Sequence, residues 1–324
     1  MSNIPLPEWA PHEAVWIGFP SAADLWEQDL APARAEVAAF AAAVHADGAG
    51  EQVLLVAADE TAAAEARRLA PFATVIVEPF GDIWLRDTGA IILGSGADRR
   101  AQGFGFNGWG EKYELEGDDS IGQRLAAAAG LPYARADWIL EGGAIDGDGS
   151  GTFLTTEQCL LNPNRNPGFG RYEVEQRLSA DLGATRVVWL GDGLENDHTD
   201  GHVDNIARFV APGRVAIPEA VEDDPNAPAY ADAAEILLDA DLEVVAIPSP
   251  GLIERDGETV PASYMNFTIG NAVVVVPQYG APNDAAAVEA LQDIFPDRRV
   301  IGLRADHLLT GGGSFHCISQ QVPA

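Results

Sequence analysis

The sequence predicts an α/β protein arranged as a closed, pseudo-fivefold array of strand–helix–strand units. Three observations carry that expectation. Short apolar runs recur along the chain, the later ones at intervals of roughly 55–60 residues, which is the signature of repeated supersecondary units. Each run is followed by a helical pattern and then by a second strand-like run. No Pro/Gly/Ser-rich linker interrupts the series, so residues 1–324 read as one domain of five pseudo-repeats rather than two separate domains.

The first unit is QVLLVA around Leu54, then TAAAEARRLA and TVIVEP. The interval predicts the second near Phe104, at AQGFGFNGW, although its glycines make a weak strand by propensity. SIGQRLAAAAG and a weak strand around Tyr133 follow it. The third unit is QCLLN around Leu160, RYEVEQRLSADLG and RVVWLG. RVAIP, YADAAEILLDADL and EVVAIP make the fourth, where Ile236, Leu237 and Leu242 show helical spacing. AVVVVP, DAAAVEALQDIF and RRVIGL make the fifth. The acidic stretches Glu114–Asp119 and Glu219–Asp224 read as solvated connections.

Composition narrows the function. With 47% hydrophobic residues the chain can bury a large core. Fifty acidic against nineteen basic residues give a net charge of −31, and Lys112 is the only lysine. Such a field repels phosphate backbones, excludes a nucleic-acid partner and draws in small cations. No apolar segment approaches the ~20 residues of a membrane span, and no signal peptide is visible. Two cysteines make no disulfide framework, so a reducing, cytoplasmic location with free thiols is expected.

The chemistry-bearing residues are concentrated just after the second strand of each unit: GDIWLRDTGA, ILEGGA, ENDHTDGHVDN, SYMNF and LTGGGSFHC. In a ring of similar units these positions meet at the axis. His198, Asp200, His202 and Asp204, spaced by two, would share one face of a strand. That pattern fits metal binding, as in a metallohydrolase, and fits acid–base chemistry equally. The glycines around Gly312 allow close approach of a ligand, and Cys317 beyond them is a candidate nucleophile with His202 as its base. Cys159 reads as a buried structural thiol in a strand, and His316 as pointing away from the site. Asp87 and Glu141 sit before glycines at strand ends, where binding residues are commonly placed.

GDIWLRDTGA, LEGGAI, TTEQCLLNPNRNPG, HTDGHVDN, SYMNF and GGGSFHCISQQ occur in the order found in agmatine deiminases, which this sequence resembles over nearly its whole length. The bacterial peptidylarginine deiminases share much of the pattern. The resemblance implies the five-bladed α/β propeller called the pentein fold and hydrolysis of agmatine to N-carbamoylputrescine and ammonia through a cysteine amidino-thioether. It implies Cys317 as nucleophile, His202 as general acid/base with Glu141 as its partner, and Asp87 and Asp204 as the guanidinium-binding carboxylates. Asn266 matches an asparagine near the site, and Trp84 or Trp109 could pack on the substrate's methylene chain. No metal or cofactor is required, and a homodimer is expected. One departure stands at His198, where the family commonly has glutamate; it bears on the substrate tail and not on the core chemistry. The remaining alternatives are another guanidino substrate (arginine or peptidyl-arginine), the metallohydrolase, and a non-catalytic binding module of the same fold.

Overall fold

The computed structural model describes residues 3–221, 223–255 and 257–324. Its strands form five sheets that repeat one design, plus a small hairpin. The first sheet contains β1 (His12–Phe19), β2 (Gln52–Ala57) and β3 (Thr74–Val77), all parallel. The second contains β4 (Ile91–Leu93), β5 (Arg100–Gly105) and β6 (Tyr133–Ile139). The third is β7 (Ile145–Gly147), β8 (Thr152–Thr156) and β9 (Arg186–Leu190); the fourth is β10 (Arg208–Ala211), β11 (Arg214–Glu219) and β12 (Glu243–Pro248). After the hairpin β13 (Glu254–Arg255) and β14 (Glu258–Thr259), the fifth is β15 (Thr268–Ile269), β16 (Val273–Gln278) and β17 (Arg299–Arg304). In sheets two to five the first strand is antiparallel to the second, and the second is parallel to the third. A helix links each parallel pair, as such crossovers require.

The C-terminal strand β18 (Ser319–Pro323) pairs antiparallel with β1 and so fills, in the first sheet, the place that β4, β7, β10 and β15 take in the others. β18 also lies against β4, and β7 against β10, so the first strands face one another. Each chemistry-bearing segment lies between the last strand of one sheet and the first strand of the next. That position explains their convergence.

The packing follows from composition. Val273–Val276 of β16 is buried on both faces, the expectation for a strand covered on each side. β5 forms despite its glycines because Tyr133 of β6 lies over Gly103, where a Cβ would come within 2.1 Å of the phenol oxygen. The aromatic ring fills the space that a side chain on Gly103 would occupy.

Several expectations are corrected. β1 and the helix Leu30–His45 that follows it were not anticipated, and they make the first sheet four-stranded. QCLLN is not a strand: β8 ends at Thr156, whose hydroxyl accepts from Cys159 N (3.2 Å) and caps a one-turn helix, Glu157–Leu160. ENDHTDGHVDN is not a strand either, but turns and one 3-10 turn, with Asp200 (φ 61°) and Gly201 (φ 84°) breaking the alternation. The acidic stretches are only partly solvated. Asp118 is 1% exposed, and Asp224 is buried and accepts from Asn226 N (2.9 Å); Glu222 lies outside the described residues. Among the described residues no helix is long and apolar enough to cross a membrane.

Candidate active site

Asp87 sits in a single helical turn, Leu85–Thr88, directly after the first sheet. Its carboxylate is buried and oriented from two sides: Gly143 N donates to Oδ1 (3.0 Å) and Trp109 Nε1 to Oδ2 (2.9 Å). Trp109 has φ 55°, costly for a bulky residue and sustained here by that bond and by Asn107 Oδ1, which accepts from Gly110 N (3.0 Å).

Gly143 marks the centre of the site. A Cβ there would stand 2.7 Å from His202 Nδ1, 2.9 Å from Asp87 Oδ1 and 3.1 Å from Asp204 Oδ2. The imidazole and both carboxylates therefore face one point, and only glycine leaves it clear. Cys317 closes the group, with Sγ 3.7 Å from Asp204 Oδ2 and 3.1 Å from Asn266 Nδ2. Asn266 Oδ1 accepts from the amides of His316 (3.1 Å) and Cys317 (3.3 Å), so this side chain holds the thiol loop. Gly311 and Gly313 lie flat on Trp84, and Gly312 (φ 102°) turns the chain beside His198.

His316 and Glu8 escaped the sequence reading. His316 does not point away: Nδ1 lies 2.7 Å from Asp204 Oδ2 and Nε2 3.2 Å from Glu8 Oε2. Residues 314–319 form turns (Ile318 N to Ser314 O, 3.2 Å; Ser319 N to His316 O, 3.1 Å), so the parity of a strand did not apply. Glu8 also binds the Arg208 guanidinium and accepts from Ile269 N (2.7 Å), completing a buried chain of polar contacts behind Asp204.

Glu141 is fully buried, but its hydrogen bond is to Arg165 Nε (2.7 Å from Oε1), not to His202. Arg165 also reaches Asp200 Oδ2 (2.5 Å) and Thr199 O (2.7 Å). Lys112 grips Asp200 Oδ1 (2.6 Å) and His198 O (2.8 Å). His198 stacks near Tyr113, its Nδ1 3.3 Å from the phenol oxygen. The four residues of the proposed metal face thus divide: His202 and Asp204 enter the site, and His198 and Asp200 join its rim. Among the described residues they form no metal-holding group.

The electrostatics follow from burial and like charge. Burial, then Asp204 and Asp87, push the Cys317 thiol well above its ordinary range. Burial opposes charge on His202, yet the Asp87 carboxylate leads the neighbours that hold its pKa well above the usual value. Burial raises Asp87; in Asp204 burial acts the same way but is outweighed by His316, and the net shift is downward. Burial and like charge thus work against the Cys317 thiolate, while the Asp87 carboxylate works in favour of a charged His202.

A small cavity of about 30 Å³ at Cys317, lined by Trp84, Asp87, Trp109 and Gly312, adjoins one of about 340 Å³ that carries Glu27, Asp29 and Asp82. They share Trp84, Tyr113, His198 and Gly311. Asp82 accepts from Trp26 Nε1 (2.9 Å) and Trp84 Nε1 (2.8 Å), fixing the aromatic wall. Beneath it Asp118 Oδ1 accepts from Gly81 N (2.7 Å) and Asp82 N (3.3 Å), while burial pushes its carboxyl up to about 7. A carboxyl raised in the fold favours the folded state below its unfolded value of about 4, and that contribution is lost as pH rises through about 7. Asp118→Asn, whose amide oxygen keeps both acceptor roles, is expected to flatten the fall of Tm across that window. A variant with the wild-type slope would remove Asp118 as its source.

Two carboxylates, a thiol and an imidazole gathered about Gly143, delivered by three of the five equivalent crossings of an α/β propeller, define the class: a pentein enzyme acting on the guanidino group. The Porphyromonas-type peptidyl-arginine deiminase family profile matches residues 5–323, and the chain belongs to that family. It is 37% identical to a provisionally named agmatine deiminase of Marinomonas sp. (strain MWYL1), covering 98% of this chain and 93% of that one. The solved agmatine deiminase of Enterococcus faecalis superposes with a TM-score of 0.92 at 33% identity, covering 99% and 95% of the two chains. That of C. jejuni gives 0.89 at 27%, covering 99% and 96%.

Proposed function

We propose that this chain hydrolyses the guanidino group of agmatine to N-carbamoylputrescine and ammonia. The observation that carries the reading is the convergence of Asp87, Asp204, His202 and Cys317 about Gly143. A guanidinium is planar and always charged, so its carbon resists attack until it is held in place. Asp87 and Asp204 accept its N–H groups in paired geometry and set the carbon over Sγ. The bound cation offsets the two carboxylates that disfavour the Cys317 thiolate, so on binding the thiol gives its proton to solvent and becomes the nucleophile.

Cys317 Sγ then attacks the carbon to give a tetrahedral adduct. His202 donates its proton to one nitrogen, the C–N bond breaks, and ammonia leaves an amidino-thioether. The neutral imidazole next takes a proton from water as the hydroxide adds to the same carbon. Collapse breaks the C–S bond, passes the hydroxyl proton to the departing sulfur so that the thiol is restored, and releases the ureido product. His202 is acid in the first half and base in the second. Glu141 supports the imidazole through the buried charge it contributes beside it, and the protein works as a homodimer in the cytoplasm.

The charge of the outer cavity favours agmatine over arginine. Neither cavity has a lysine or arginine among its described lining residues, and Lys112 is engaged by Asp200 and His198 O. The α-carboxylate of arginine would meet Glu27, Asp29 and Asp82, while the ammonium of agmatine is attracted by them and by the indole faces. A panel of agmatine, arginine, a peptide ending in arginine and methylated arginines, scored for ureido product, tests the reading. Agmatine is expected to have the highest kcat/KM; arginine turned over at a comparable kcat/KM would contradict it.

The pH profile gives a second check. Asp87 raises both the thiol and the imidazolium, so kcat/KM is expected to follow a bell displaced to the alkaline side of neutrality. In Asp87→Asn the residual kcat/KM should shift toward acid on both limbs, because loss of a neighbouring negative charge lowers both pKa values. An unmoved profile would separate Asp87 from the reacting groups.

A further inference from the structure

We infer that Glu141, Cys159 and His202 form an inhibitory zinc site on the far side of the catalytic imidazole. The carboxylate, thiol and ring-nitrogen donors of these three residues lie within 4.8 Å of one another, and all three side chains are buried. Donors around a tetrahedral zinc ion stand about 3.3–3.8 Å apart, given bond lengths of about 2.0–2.3 Å. Small side-chain rotations close the difference.

The donors are only weakly engaged, His202 by the Cys159 thiol itself and by the Asp87 carboxylate 3.7 Å from Nδ1. Glu141 Oε2 and both ring nitrogens of His202 are buried without a hydrogen-bond partner, a condition that folded proteins rarely leave uncompensated. Cys159 is a free buried thiol, held at the start of its helical turn by the Thr156 cap. Arg165 occupies Glu141 Oε1 and leaves Oε2 without a partner, as outer partners of metal ligands commonly do. Sulfur, nitrogen and carboxylate donors suit zinc and do not suit magnesium or calcium. On binding, Cys159 loses its thiol proton and His202 its imidazolium proton, both to solvent. One thiolate and one carboxylate then balance the ion, and no electron transfer is involved.

The consequence for activity is direct. An imidazole bound to zinc can neither give its proton to the leaving nitrogen nor take one from water, so the metal-free enzyme is the active form. Its buried position makes the onset of inhibition slow and time-dependent. The site is distinct from the nucleophile, whose sulfur is flanked by Asp204 and Asn266.

The inhibition rests on the hydrolase reading above, whereas the binding does not, so the two are measured separately. Calorimetric titration of the full-length Cys317→Ala protein with zinc chloride is expected to show one ion per chain. Adding Cys159→Ala or Cys159→Ser should weaken that binding by at least about tenfold. Cobalt(II) should give a thiolate-to-cobalt charge-transfer band in Cys317→Ala that is lost in the double variants. With agmatine, wild-type enzyme preincubated with zinc should lose activity over time and regain it with EDTA, while Cys159→Ala, active without zinc, should resist the ion. Equal zinc sensitivity of Cys159→Ala and wild type, or a folded Cys317→Ala protein that binds no zinc, would overturn the inference. Absence of any agmatine turnover beside intact Cys159-dependent binding would instead overturn the hydrolase reading alone.

Discussion

Replacing Cys317 by alanine is expected to abolish turnover while leaving agmatine binding detectable by calorimetry. The thiol supplies the electron pair that breaks the guanidinium's resonance, and nothing else at the site can take that part. His202 is too short of a free lone pair when protonated, and the carboxylates are engaged by the substrate. Binding survives because Asp87 and Asp204 do the gripping. Cys159→Ala, measured alongside, should keep its activity in metal-free buffer, since its buried thiol lies behind the imidazole and lines no cavity with Cys317. Equal loss from the two substitutions would mean that the nucleophile has been misassigned.

The second large effect is expected from the carboxylates. Asp87→Asn and Asp204→Asn each leave part of a desolvated cation unpaired, which costs about 2–5 kcal/mol for a buried charge pair. Most of that should appear in kcat/KM, since both ground state and transition state carry the charge. The two variants should nevertheless differ. Asp87 is held by two neutral donors, Gly143 N and the Trp109 indole, and its loss disturbs little else. Asp204 also faces His316, which is tied to Glu8, so Asp204→Asn disturbs a buried chain of polar contacts and should lower Tm as well as activity. Wild-type kcat/KM in either variant would remove that residue from the guanidinium site.

The repeat was legible because the apolar runs of β11 and β16 are unbroken and their helices keep regular spacing. Even the glycine-rich β5 followed from the interval, although the reason it works, Tyr133 lying over Gly103, depends on the neighbouring strand. The N-terminal β1 was missed because it precedes the first interval and belongs to the sheet closed by β18 at the other end of the chain. Among the site candidates, Asp87, His202, Asp204, Asn266 and Cys317 come together as their positions after successive units implied. Glu141 arrives too, but bound to Arg165.

What stayed hidden depended on backbone that is neither helix nor strand. The two-residue spacing from His198 to Asp204 suggested one face, but left-handed Asp200 and Gly201 turn the chain and send alternate pairs to different partners. His316 was lost to the same strand assumption one residue before the nucleophile. Glu8 lies more than 300 residues from His316 in sequence, and only the fold unites them. Asp118 looked solvated inside an acidic run, and its burial comes from the loop of Gly81 and Asp82 folding over it.

The covalent step can be tested against metal-dependent hydrolysis in one measurement. Enzyme treated exhaustively with chelator is mixed with agmatine, quenched in acid during turnover, digested, and its cysteine peptides weighed by mass spectrometry. The expected result is full activity in chelator and an amidino adduct on Cys317, absent from Cys159 and absent when agmatine is omitted. Activity lost to the chelator and restored by zinc or manganese, with Cys317 unmodified throughout turnover, would contradict the thiol mechanism.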